Sequence, residues 1–149
     1  MGPSGVYDNQ GQAAWYGGEL EAQWKIVQGI QLTGHMLWLQ AQSKRSEQTH
    51  WQGLPYKPSS SGGLKLSLTS DSGQDRSSLI LEEQFLGART TEAHDVLGAY
   101  FLSHAYLDWS GEQWGLFAGC FNIADLRDTE SRQEAVTPRN FKVGLNWKL

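Results

Sequence analysis

Phe141-Lys-Val-Gly-Leu-Asn-Trp-Lys-Leu149 closes the chain and decides how the rest is read. Phe141, Val143, Leu145, Trp147 and Leu149 alternate with Lys142, Gly144, Asn146 and Lys148. A period of two sends the first set to one face of an extended strand and the second set to the other. A helix would scatter both sets around its circumference. The stretch is therefore expected to be a strand with one apolar and one polar face.

The same alternation recurs upstream. After a Gly-, Pro-, Asn- and Gln-rich stretch over 1–12, expected to be loop, a strand is predicted from Ala13 to Lys25. There Ala14, Tyr16, Gly18, Leu20, Ala22 and Trp24 share one face, and Trp15, Glu19, Glu21, Gln23 and Lys25 share the other. A second strand is predicted over 30–42, with Leu37 and Leu39 blurring its polar face. Leu64, Leu66 and Leu68 alternate with Lys65, Ser67 and Thr69 in a third. The fourth, 77–86, carries Leu79, Leu81 and Phe85 with Glu83 intruding among them. The fifth spans 97–109, and the sixth, 113–121, is apolar on both faces. The last nine residues make the seventh. Between these strands lie 26–29, 43–61, 70–76, 87–96, 110–112 and 122–140.

Those connections alternate between short and long. If the strands are antiparallel neighbours, every short turn lies at one end of the sheet and every long loop at the other. That asymmetry marks outer-membrane β-barrels, with short periplasmic turns and longer extracellular loops. An apolar strand with no polar tail is also how such a barrel finishes, its final strand facing lipid. The expected fold is all-β: an antiparallel transmembrane β-barrel segment of about seven strands over 13–149, with bacterial outer-membrane lipid around it.

Composition agrees. The chain has 149 residues, enough for one domain. It carries 7 Trp, 5 Tyr, 5 Phe and 17 Gly, suiting tight turns and interfacial aromatic girdles. A net charge of −4 and no basic tract give no reason to expect nucleic acid as a partner. One cysteine, Cys120, cannot form an internal disulfide or a thiolate zinc site. No segment has the run of apolar residues needed for a membrane helix. The first ten residues lack the basic start and apolar core of a secretory signal.

Three short motifs resemble one family. Gly17-Gly-Glu-Leu-Glu21 resembles the Gly-x-Glu-Leu-Glu strand of TonB-dependent outer-membrane receptors. Asn122-Ile-Ala-Asp125 resembles the Asn-Leu-Phe-Asp motif that closes their penultimate strand, and Pro138-Arg139 precedes the last strand as is usual there. Their order and spacing match the C-terminal third of such a receptor. Ala124 stands where the family has an aromatic, and Leu149 where it has a terminal Phe or Trp. The resemblance implies a role in importing a scarce nutrient, such as a ferric siderophore, haem or a cobalamin. It also implies a plug and further strands in the parent receptor, with TonB engaged only through that plug. Seven strands leave two open edges, so the chain is expected to be a fragment, inactive alone. The alternative is a complete eight-stranded barrel, structural or ligand-binding, but Gly2, Pro3, Gly5 and Gly11 disfavour an eighth strand at the N-terminus.

In such receptors external loops bind the ligand. The candidates are therefore His50, Trp51 and Tyr56 in the first long loop, Arg89 and His94 in the second, and Arg127 and Arg132 in the third. Arginine pairs with anionic groups and histidine with haem iron. Solvated loop residues are the plainer reading of each. His104, Tyr106 and Asp108 are expected on the polar face as a hydrogen-bonded cluster. Ser103 lies on the opposite face from His104, so no triad forms within that strand. Glu19 and Glu21, about 7 Å apart on one face, fit charges along a polar lumen. No enzyme activity, cofactor or metal is expected.

Overall fold

The computed structural model describes residues 11–45, 49–91, 93–127 and 136–147. The described residues contain strands and turns but no helix. Seven strands form one antiparallel meander. They are β1 (Gly11–Val27), β2 (Ile30–Arg45), β4 (Ser60–Ser72), β5 (Asp75–Leu86), β8 (Tyr100–Ser110), β9 (Trp114–Phe121) and β10 (Asn140–Trp147). Each pairs with the next in sequence. Two-residue β3 (Gln52–Gly53) adds to β2, and β6 (Arg89–Thr90) pairs with β7 (Val96–Leu97) in a separate hairpin. Among the described residues the sheet does not close: β1 pairs only with β2, and β10 only with β9.

Register carries the sequence pattern across the whole sheet. One row runs Trp24, Leu32, Leu66, Leu81, Ala105, Cys120, Phe141 from β1 to β10. The row beside it, on the opposite face, runs Gln23, Thr33, Lys65, Glu82, His104, Phe121, Asn140. A slip by one residue would invert every side chain of a strand, so the coherence of these rows fixes all seven registers together.

The short connections 28–29, 73–74 and 111–113 share one end of the sheet, and the long ones, 46–59, 87–99 and 122–139, share the other. Gly29 adopts φ 80° and Gly73 φ 62°, a region that side chains with a Cβ avoid. Gly29 also seats against β4, accepting the Thr69 N–H at 2.7 Å.

The strands run further than the apolar alternation. β1 begins at Gly11, inside the stretch expected to be loop, because Gly11 and Gln12 continue the ladder with Arg45 and Lys44. β4 starts at Ser60 and continues to Ser72, which narrows the expected 70–76 turn to 73–74. Backbone hydrogen bonds propagate a ladder whatever the side chains are. β8 begins later than expected, at Tyr100, because Leu97 belongs to the β6–β7 hairpin. The first two long loops are not featureless: β3, β6 and β7 lie within them.

Leu97 is the one buried large apolar side chain among the described residues, 3% exposed. It lies in the β6–β7 hairpin at the long-loop end, not on the sheet. Among the described residues, the apolar face of the sheet carries no second layer, and its large side chains are exposed.

Candidate functional site

The two faces differ in chemistry. The apolar face exposes Leu20, Trp24, Met36, Leu64, Leu79, Leu81, Leu107, Leu116, Phe141, Val143, Leu145 and Trp147. Val143 is 77% exposed and Phe141 73%. Burying a side chain of this kind is worth roughly 1.5–3 kcal/mol, so an unpacked face this large requires a cover.

The aromatic residues on this face sit at its margins. Tyr16 and Trp24 bracket Gly18, Leu20 and Ala22 on β1. Phe101 and Trp109 bracket Ser103, Ala105 and Leu107 on β8, and Phe141 and Trp147 bracket Val143 and Leu145 on β10. Trp114 stacks on Trp147, ring centres 5.4 Å apart and 8° from parallel. At about 3.3 Å per residue, Tyr16 and Trp24 stand roughly 26 Å apart along the strand. A strand tilt of about 40° brings that to roughly 20 Å in height, close to the ~25 Å apolar band of outer-membrane barrels.

One charged residue breaks the apolar face. Glu83 lies between Leu64 and Ser103, and its carboxylate accepts the Ser103 hydroxyl at 2.6 Å. The serine supplies a polar neighbour where the other rows have apolar ones.

The polar face is hydrogen-bonded within itself. The Glu82 carboxylate accepts from the Tyr106 hydroxyl and from the Gln84 amide at 2.8 Å. Tyr106 packs on Phe121 and Phe117, His104 packs on Phe121, and the Lys142 ammonium lies 4.9 Å from the Phe121 ring centre. Phe117 and Phe121 are the residues that made the sixth predicted strand apolar on both faces, and here they become aromatic ground for that cluster. A hollow of about 440 Å³ opens beside it, lined among others by Gln84, Tyr100, His104, Asn140 and Lys142. His104 and Tyr106 share this face with Asp108, and Ser103 faces away.

At the long-loop end, Asn122 and Asp125 clamp the ends of the third loop together. Asn122 is 3% exposed and adopts φ 53°, a conformation that asparagine tolerates well. Its side-chain amide donates to the carbonyls of Leu126 (2.8 Å) and Thr137 (3.0 Å), and its Oδ1 accepts the Leu126 N–H (2.9 Å). Its backbone N–H donates to His104 Nδ1 at 3.1 Å. An accepting Nδ1 puts the ring proton on Nε2. Asp125 then reaches across: Oδ1 accepts the Arg139 backbone N–H (2.9 Å) and Oδ2 the Arg127 guanidinium (3.0 Å). Those two donors, the Arg139 amide first, hold the Asp125 carboxyl below the ordinary aspartate range. The Asn-x-x-Asp spacing thus joins the exit of β9 to the entry of β10.

The loop candidates have different settings. His50, Trp51 and His94 are exposed. His94 has φ 67° and sits in the β6–β7 turn, where its N–H donates to the Thr91 carbonyl. Tyr56, with φ 61°, donates its N–H to the Thr90 carbonyl at 2.7 Å, which docks the first long loop onto the second. Arg89 is 3% exposed, its guanidinium 5.3 Å from the Tyr100 ring centre. Arg127 is tied to Asp125. Arg132 lies outside the described residues. The loops bring Tyr56 next to the strand that holds Arg89, and leave Arg127 in a separate group around the clamp. Sequence reading missed the clamp's role, the Glu82–Tyr106 pair and the Ser103–Glu83 pair. Only the first had a local signal, an Asn and an Asp at fixed spacing after an apolar strand.

Among the described residues no three His, Cys, Asp or Glu side chains converge as a metal site needs. No family model, curated protein or solved structure matches the chain.

Proposed function

We propose that the chain forms part of the wall of a bacterial outer-membrane β-barrel of the TonB-dependent receptor kind. Such a receptor imports a scarce nutrient, such as a ferric siderophore, haem or a cobalamin. The observation that carries the reading is the apolar face: unpacked, aliphatic at mid-height and aromatic at its margins. Lipid is the cover that asks for this arrangement. The gathering of all three long loops at one end supports the same orientation, with those loops outside the cell and the short turns in the periplasm. The polar face, with its Glu82–Tyr106–Gln84 and His104–Asn122 bonds, then lines the lumen.

In this role the chain performs no chemistry on its ligand. It supplies wall and loops, and energy for transport reaches the receptor through TonB and a plug that are other parts of the assembly. His50, Trp51 and His94, exposed on the long loops, are the candidates for ligand contact. Tyr56 and Arg89 hold the loops in place, and Arg127 serves the clamp.

The test is fractionation of the source cells, with detection by an antibody raised against 122–139. The reading expects the antigen in the outer membrane, in a species several times larger than 16.6 kDa. Antigen in the soluble fraction would contradict it, and a membrane species of 16.6 kDa would remove the transport role.

A further inference from the structure

We infer that the hollow beside His104 on the polar face is a binding site for an organic carboxylate, which the Lys142 ammonium pairs with and the His104 Nε2–H hydrogen-bonds. The inference goes beyond the reading above and does not need it. The site is built by side chains of one face, whether that face meets a lumen or bulk water.

The hollow lies where four neighbouring strands meet the returning third loop. Gln84 comes from β5, Leu102 and His104 from β8, Phe121 from β9 and Lys142 from β10, while Val136 and Thr137 approach from the loop. Its volume, about 440 Å³, is that of a small-molecule pocket.

Charge and donors favour an anion there. Lys142 makes no ion pair among the described residues. Its ammonium lies 4.9 Å from the Phe121 ring centre, a contact that holds the charge in place without neutralising it. His104 is the second donor. Its Nδ1 accepts the Asn122 backbone N–H at 3.1 Å, so the ring proton stays on Nε2. The His104 ring lies against the same Phe121, centres 5.7 Å apart. An ammonium and an N–H thus stand at one aromatic ring on the edge of one hollow. The described lining residues include no Asp or Glu. Glu82 stands opposite His104 on β5, but its carboxylate already accepts from Tyr106 and Gln84, and Lys65 stands opposite it on β4.

One cation and one neutral N–H match the single charge and two oxygens of a carboxylate. Leu102, Phe121 and Val136 supply apolar wall that a bare anion would leave wet and a flat organic body covers. Occupancy also reaches the third loop. An acceptor at Nε2–H polarises the imidazole and makes Nδ1 a stronger acceptor for the Asn122 N–H. The residue whose side chain ties Leu126 to Thr137 is then held more firmly.

The test takes the protein from whichever cell fraction holds it, so failure of the membrane reading leaves the test intact. Benzoate is the probe, benzamide its uncharged counterpart, and acetate the carboxylate without a ring. Mass spectrometry reads two quantities. One is the rate of reductive methylation of Lys142 against that of Lys25, which shares its row on the polar face at the far edge of the sheet. The other is hydrogen exchange in a peptide spanning 119–127. Benzoate is expected to slow both, saturably, and to leave Lys25 unchanged. It should act at about one-tenth of the concentration that acetate needs, the gain from burying part of a ring. Benzamide should do neither. Lys142→Met should abolish the effect of benzoate on exchange, and Lys25→Met should preserve it. Benzamide or acetate matching benzoate, equal slowing at Lys25 and Lys142, or an exchange effect that survives Lys142→Met would each overturn the inference.

Discussion

Asn122 carries more hydrogen bonds than any other described residue of the third loop, and its burial makes them count. Asn122→Ala would leave the Leu126 N–H and the carbonyls of Leu126 and Thr137 without their partner. Leu126 is half-buried and Thr137 exposed, so water replaces part of what is lost; at about 0.5–1.5 kcal/mol net per hydrogen bond, a loss of about 1–3 kcal/mol is expected. Limited proteolysis within 122–139 is the readout, with cleavage rising while the far-ultraviolet strand signal persists. Asp125 adds a pH dependence. Its carboxyl is held below its ordinary value, so its contribution is complete above that value and is lost as pH falls through the lowered one. Protection of the Arg139 amide, taken relative to the intrinsic exchange rate at each pH, should therefore be high at neutral pH and fall below about pH 4, the ordinary aspartate range. Asp125→Ala should lack that protection across the same pH range.

At the scale of the strand, the apolar face makes a directional prediction on β10. Val143→Arg puts a charge between the bracketing aromatics Phe141 and Trp147 and should cost about 2–4 kcal/mol of membrane insertion. Gly144→Arg, one residue along and on the polar face, should cost far less, since a Cβ there meets only ordinary contacts with Phe117. Vesicle flotation in urea compares the two, and equal effects would count against the facing. β1 and β10 were legible in the sequence because period two is strict there and no tertiary contact has to be known. β3, β6 and β7 were not, because two-residue pairings depend on how one loop lies over another strand. The burial of Arg89 was hidden for the same reason: nothing local says that the β6–β7 hairpin would enclose it. The clamp was half legible. Asn122 and Asp125 stood out by spacing, but their partners Thr137 and Arg139 lie across a loop that sequence alone does not close. Phe117 and Phe121 blurred the pattern of β9 because they answer to Tyr106 and His104 on the neighbouring strand β8 rather than to the period of their own.

At the scale of the whole molecule, the central fact is a sheet on which the described residues build no core. Seven paired strands satisfy their shared edges, yet among the described residues one face remains apolar and the two outermost edges have no partner strand. A soluble sheet solves the first problem with a second layer, and a closed barrel solves the second. In the proposed reading, lipid on the outside and further strands beside β1 and β10 would solve both at once and leave the hydrogen-bonded polar face toward water. The most direct measurement is quenching by lipids brominated along their acyl chains, read from a fluorescent probe moved residue by residue from 141 to 147 in membranes containing the chain. The account predicts strong quenching at 141, 143, 145 and 147 and weak quenching at 142, 144 and 146. Uniform quenching, or the opposite alternation, would contradict it.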